Sequence, residues 1–324
     1  MATKKSNGVE NFYDDVLVDE NLVSDQEKTE FEIDPQEAQD QAQAMDAEVS
    51  STNSGESKSY GQFEVDGIES MSSYVTDDPI LDAFYGSYAP ADGISATESA
   101  EVIIGADNRI KINATNVYPW RAICALKITT KNGRRFIGTG WMISKRTVIT
   151  AGHCVYMHNE GGWVRSVEVI PGLNGALRPY SSAVGTSFRS TQGWVNSRSR
   201  NHDYGAIILP ANTNLGNLTG SFGIAVKNDA FLKAANLNLS GYPGDKGGNE
   251  QWYMAQRTKS VSTRVIYYNI DTYGGQSGAP VWILTGGKRY AVGIHTNGAS
   301  SGNSATRIVT AVFNNLVSWK NQGL

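Results

Sequence analysis

Three short stretches of this chain hold residue types that can act together on a carbonyl. TAGHC at 150–154 sets His153 behind a strand-like TVIT run, NHDYGAIIL at 201–209 sets Asp203 at the mouth of an apolar run, and GGQSGAP at 274–280 frames Ser277 with glycines. A serine hydroxyl is a weak nucleophile until a base takes its proton. Imidazole is such a base near neutral pH, and a buried carboxylate fixes its tautomer and stabilises its charged form. The glycines let the backbone N–H groups of Gly275 and Ser277 converge on one point, an oxyanion hole whose donors are each worth about 3–4 kcal/mol in the transition state. Each feature alone has a plainer reading, because G-x-S-G loops also make ordinary hairpin turns and a histidine beside an apolar strand is more often structural. The chain order His, Asp, Ser is the more specific signal, since other serine hydrolases run Asp, His, Ser or Ser, Asp, His. His202 adjoins Asp203, and neighbours on an extended chain face opposite sides, so His153 is the expected base. His158, in the polar run YMHNEGG, is expected to be solvated.

These residues need a scaffold, and from about residue 102 the texture supplies one. Short apolar runs such as RAICALKITT, RFIGTGWMIS, YGAIILP, APVWILTGG and YAVGIHT alternate with Gly, Asn, Ser and Pro, which indicates an all-β barrel or sandwich. Only the closing AVFNNLVSWKNQ places apolar residues at helical spacing (Val312, Phe313, Leu316, Val317), predicting a C-terminal helix. Residues 1–60 are rich in Asp, Glu, Gln, Ser and Asn, a composition that cannot offset its ordering entropy by burial, so disorder is expected there apart from a weak helical pattern over 34–49. Residues 61–90 differ: DPILDAFYG and YGSYAP bring aromatics and aliphatics able to dock on a partner surface.

The formal net charge of −4 conceals two opposite halves. Residues 1–101 hold 24 acids against four lysines, a balance of −20, which leaves +16 on residues 102–324. A basic domain raises the possibility of nucleic acid, but its bases are scattered, with no dense Lys/Arg run and no RNA-binding signature. An acidic leader tethered to a basic body is instead placed to fold back on it, because complementary fields raise encounter and a tether raises effective concentration. The N-terminus lacks the apolar run of a secretory signal, and no stretch approaches the roughly 18 apolar residues of a membrane span. Two cysteines, Cys124 and Cys154, form one disulfide or remain thiols, and no spacing suggests a metal or a cofactor.

Together TAGHC, HDYGAI and DTYGGQSGAPV, with VIIGADNR, GTGWMIS, SGYPGDK and GIHTNG, resemble the chymotrypsin-fold serine proteases and more narrowly the bacterial glutamyl endopeptidases, over residues 102–324. The resemblance implies two packed six-stranded antiparallel β-barrels followed by the C-terminal helix, with the triad in the cleft between them. His153 is then the general base, Asp203 its orienting carboxylate, Ser277 the nucleophile, and Gly275 and Ser277 the oxyanion hole. It also implies that Thr272 and His295 line the pocket for the side chain before the cut. A hydroxyl and an imidazole can both donate to a carboxylate, and an aspartate, shorter by one methylene, would be cut more slowly by about 1–3 kcal/mol. Asp271, if it pointed into that pocket, would favour Lys or Arg instead; the shared DTYGGQSG run argues that it points elsewhere.

Two departures stand out. Gln276 occupies the place of the aspartate that in many relatives pairs with a new N-terminus. Gly138 occupies the place of the usual bridging partner of Cys154, leaving a bond from Cys154 to Cys124 open. The change of composition falls between Glu101 and Val102, where the resemblance begins. The implied organisation is an acidic propeptide, residues 1–101, and a protease domain, residues 102–324, joined at a processing site that is itself a post-glutamyl bond. The freed Val102 amine is expected near the pocket. The expected protein is a secreted monomer that acts on acidic peptide or protein substrates, has its own propeptide as partner, and uses neither nucleic acid, membrane, metal nor cofactor. The competing readings are the same protease fold with another preference at the cut residue, and a non-enzymatic basic binding module on that scaffold.

Overall fold

The apolar runs around the TAGHC motif become antiparallel strands Ile123–Thr129, Arg135–Met142 and Thr147–Thr150, with Ala125 opposite Thr139 and Trp141 opposite Ile149. The computed structural model describes residues 81–88, 102–299 and 302–324; the disorder expected over 1–60 and the helical pattern at 34–49 lie outside them. Gly205–Ile208 and Ser187–Ser190 flank one side of this sheet, and Ser166–Pro171 and Ala183–Gly185 the other. Its two end strands, Ala183–Gly185 and Ser187–Ser190, are separated by Thr186 alone, so they count as one bent strand that closes a six-stranded barrel. Closure leaves no exposed row of unpaired backbone groups.

Six strands likewise ring the second barrel: Asn236–Gly241, Trp252–Val261, Val265–Tyr268, Pro280–Thr285, Lys288–Ala299 and Gly302–Arg307. Lys288–Ala299 pairs with both Pro280–Thr285 and Gly302–Arg307, which completes the circle. Alternation along a strand sends successive side chains to opposite faces. Val148 therefore fills the first barrel, while Ile149 joins Trp141, Trp282, Tyr253 and Phe222 in the core shared by the two. The helix Thr310–Gln322 lays Val312, Leu316 and Trp319 on that shared core, and Asn315 Nδ2 donates to the Tyr204 hydroxyl at 2.7 Å. Phe313 and Val317 are only half-buried, because the stripe through Trp319 is the one that meets the barrels.

Residues 81–88 belong to this body although they lie ahead of it. The strand Leu81–Asp82 runs parallel to Arg135–Met142, with Leu81 opposite Phe136 and Asp82 opposite Ile137, and leads into the helical turn Tyr85–Tyr88. The surface that the aromatics of DAFYGSY dock on is that of this same chain.

Candidate active site

The first barrel supplies an imidazole and its carboxylate. His153 sits on the single 3-10 turn Gly152–Cys154 directly after Thr147–Thr150, and Asp203 follows the turn Arg200–His202 just before Gly205–Ile208. Because those two strands pair, with Thr150 opposite Gly205, the two residues are brought together. Asp203 Oδ1 accepts from the His153 backbone N–H at 2.9 Å, and Oδ2 lies 2.8 Å from Nδ1. The approach requires Gly152, where a Cβ would meet the Trp194 ring at 2.9 Å and Asp203 Oδ1 at 3.0 Å. Burial alone would lower the pKa of His153; the Asp203 carboxylate outweighs it and holds the imidazole well above its ordinary value. Nε2 makes no hydrogen bond with a described residue. His202 turns its ring Nδ1 toward Ser199 Oγ, 3.0 Å away.

The second barrel supplies the serine. Ser277 lies in the turn before Pro280–Thr285 and is fully buried, as are His153 and Asp203. Gly275 and Gly278 adopt φ of +105° and +90°, a region open to glycine but strained for other residues, and a Cβ on Gly278 would meet Thr139 O at 2.2 Å. The N–H groups of Gln276, Gly278 and Ala279 donate within the protein, to Tyr273 O, His295 O and Gln276 O. Ser277 O accepts from Thr139 N at 2.8 Å, which ties this turn to the barrel that carries His153.

His295, on Lys288–Ala299, lies beside this turn, since Gly278 N donates to its carbonyl at 2.7 Å. Its Nδ1 is 2.6 Å from the hydroxyl of Tyr268, a fully buried residue that the sequence reading did not single out. Thr272 is also fully buried, and its Oγ1 has no hydrogen-bond partner among the described residues. Asp271 is committed elsewhere: its two carboxylate oxygens accept from Ile104 N at 2.7 Å and Asn108 N at 3.0 Å. Gln276 turns its Oε1 to Tyr273 N at 3.0 Å. Val102 is bound through its backbone. Its N–H donates to Asn303 Oδ1 at 3.0 Å, and its carbonyl accepts from Asn303 Nδ2 at 2.7 Å and Thr272 N at 3.3 Å. Glu101 lies outside the described residues.

One alternative left open by the sequence is decided here, and one sequence expectation needs correction. Cys124 and Cys154 are both buried free thiols, so the open disulfide is not made. The register explains it: Cys124 stands opposite Gly140, whereas Cys154 Sγ lies against Gly138, 2.8 Å from where a Cβ there would sit. Protein denatured without reductant is therefore expected to titrate two thiols with a disulfide-exchange reagent, and a count of zero would restore the bond. His158 is not simply solvated. It is half-buried, its Nε2 is 3.0 Å from Trp194 O, and burial lowers its pKa. A third feature was missed outright: the Tyr88 hydroxyl donates to Asp203 Oδ2 at 2.8 Å.

Known proteins resemble this chain in sequence and fold. Residues 109–320 match the trypsin family. A glutamyl endopeptidase of Bacillus licheniformis is 39% identical over 234 residues, covering 70% of this chain and 71% of the relative. An extracellular metalloprotease of Bacillus subtilis is 38% identical over 242 residues, covering 74% and 76%. The solved structure of a Glu endopeptidase in complex with MPD superposes with a TM-score of 0.60 at 31% identity, over 68% of this chain and all of that one. The second relative's name speaks of a metal. Among the described residues no three His, Cys, Asp or Glu side chains converge as a ligand set. A histidine oriented by a buried carboxylate, a glycine-framed serine on the facing barrel and these likenesses lead to one family: the chain belongs to the trypsin family of chymotrypsin-fold serine endopeptidases, among relatives that include glutamyl endopeptidases.

Proposed function

We propose that the protein is an exported, monomeric endopeptidase that cuts after glutamate, and after aspartate more slowly, and that it is made as a zymogen opened at the bond between Glu101 and Val102. Ser277 Oγ attacks the scissile carbonyl while His153 Nε2 takes its proton, and Asp203 steadies the imidazolium through Nδ1. The oxyanion is received by the N–H groups of Gly275 and Ser277. His153 then passes the proton to the leaving amine, and water repeats the sequence to release the acyl group. The observation that supports this reading of catalysis is the buried His153–Asp203 contact at 2.8 Å, with the Ser277 carbonyl 3.6 Å from Sγ of the adjoining Cys154.

The glutamyl preference is supported by what surrounds the pocket. Asp271 is withdrawn from it, Thr272 keeps a buried hydroxyl without a protein partner, and His295 is oriented by Tyr268. A carboxylate would bring Thr272 Oγ1 an acceptor, and a buried hydroxyl left unsatisfied is costly. The charge of +16 on residues 102–324 attracts acidic substrates. Secretion is in keeping with the word "extracellular" in the name of the Bacillus subtilis relative. Digesting a protein mixture with the processed enzyme and reading every new terminus by mass spectrometry tests the whole reading. Cuts after glutamate in clear excess are expected; a Lys/Arg or aromatic pattern would replace the preference, and no new termini would remove the activity.

Val102 enters this proposal as the new amine. Its backbone is already fastened to Asn303 and Thr272, so freeing the amine adds a positive charge beside the pocket. A processed chain that retains one extra residue ahead of Val102 is expected to lose about tenfold in kcat/KM on a glutamyl peptide, on the order of one charge-assisted hydrogen bond. An unchanged value would dispose of the amine's role.

A further inference from the structure

The residues just described as the base and its carboxylate are covered, and what covers them is a piece of the leader. Phe84 and Tyr88 stack on each other at 4.4 Å between ring centroids and meet the His153 ring edge-on at 6.0 and 5.7 Å. Tyr88 also packs on Trp194 at 5.5 Å, lies beneath the Arg198 guanidinium, and donates its hydroxyl to the same Asp203 oxygen that faces His153 Nδ1. The segment is fastened at both ends. Ala83 N donates to Ile137 O at 3.0 Å, Ser87 Oγ accepts from His158 N at 3.2 Å, and the Asp82 carboxylate lies against Gly274, where a Cβ would meet Oδ2 at 2.7 Å. Phe84 is 1% exposed and His153 not at all. A base that must reach both the serine and the leaving group of a bound peptide cannot do so with its ring walled in.

We propose that residues 81–88 are a built-in inhibitor seated on the catalytic pair, and that this inhibitor outlives the cut between Glu101 and Val102. The cut falls 13 residues beyond Tyr88 and leaves the seated segment untouched. The leader's composition then protects it. Its 12 glutamates stop at Glu69 and resume at Glu98, so residues 70–97 contain none, and the docked aspartate, Asp82, is buried. An enzyme that cuts after glutamate therefore trims its leader to residues 70–98 and is left holding a fragment that it attacks only slowly. While tethered, the segment acts at an effective concentration of order millimolar; once cut it is an ordinary ligand that dilution removes. Activation is thereby split into a covalent step at Glu101 and a concentration-dependent release. The persistence of the fragment, though not the seating of residues 81–88, rests on the glutamyl reading.

The test uses the full chain carrying Glu98→Gln and Glu101→Gln and an alkyl fluorophosphonate, which reacts with an accessible activated serine whatever the residue preference. Labelling of Ser277 is expected to be at least about 100-fold slower than in the processed enzyme, and adding Phe84→Ala with Tyr88→Ala should restore about tenfold or more. Tyr88→Phe, which removes only the hydroxyl bound to Asp203, should restore part of that. Labelling as fast as in the processed enzyme overturns the inhibitor. Should the doubly substituted chain fail to fold, a peptide of residues 70–98 added to processed enzyme decides instead. Inhibition of labelling that weakens about tenfold when the peptide carries both alanines is expected, and no inhibition by the unaltered peptide overturns the proposal. Rapid cleavage of that peptide within residues 70–97 overturns its persistence and counts against the glutamyl reading, while slow labelling of the full chain would still uphold the seating.

Discussion

Ser277→Ala is expected to abolish peptide hydrolysis, by about 10⁶-fold, the scale seen when the nucleophile of such a triad is removed. The change takes away one hydroxyl and no packing. The turn that holds it is set by Gly275 and Gly278 and by the Ser277 carbonyl bonded to Thr139 N, none of which needs the side chain. Urea unfolding of the variant should therefore match the parent, and residual turnover within tenfold of the parent would mean that the nucleophile is misassigned. The same variant reports on processing. If the chain cuts its own leader after Glu101, Ser277→Ala purified alone stays at full length, and a correctly trimmed Val102 terminus would show that another protease does the work. Mixing it with a small amount of active enzyme should then release the leader, because the bond is intact and only the nucleophile is missing.

That a candidate site could be proposed before the fold follows from how locally its residues are encoded. His153, Asp203 and Ser277 each sit in a run of a few residues whose neighbours are dictated by the same geometry: Gly152 by the close approach of Asp203, Gly275 and Gly278 by positive φ. Barrel closure was less legible. It depends on Thr186 turning one strand into two, and no composition signal marks that residue. Contacts between distant residues were the least legible. Tyr268 and His295 are 27 positions apart, and Tyr88 and Asp203 are 115 apart. For Tyr268 a signal did exist, because it follows Tyr267 on a strand and one of two adjacent aromatics must face inward. For Tyr88 the docking tendency of its segment was visible and the dock was not. The cysteines show the limit from the other side: their number is plain in sequence, but whether Cys124 faces Cys154 is a matter of register.

The pocket gives the other large effect. His295→Ala is expected to lower kcat/KM on a glutamyl peptide by about 30-fold to several thousand-fold, since removing one partner of a buried, hydrogen-bonded charge costs about 2–5 kcal/mol. The loss should be selective. A peptide with glutamine at the same position has nearly the same shape and no charge, so its slower hydrolysis should change far less, and the ratio of the two rates should collapse. A general loss on both substrates would place His295 in the scaffold, a real alternative because its carbonyl accepts from Gly278 N beside the nucleophile. That backbone bond survives the substitution to alanine, so a scaffold effect and a pocket effect separate cleanly. Tyr268→Phe sharpens the distinction. It leaves the imidazole present and removes only the hydroxyl 2.6 Å from Nδ1, so the ring keeps its chemistry and loses its orientation. The expected result is a smaller fall on the glutamyl peptide, about tenfold, with the glutamine peptide again little changed. A pattern in which His295→Ala is selective and Tyr268→Phe is silent would keep the histidine in the pocket and leave its alignment to the strand that carries it.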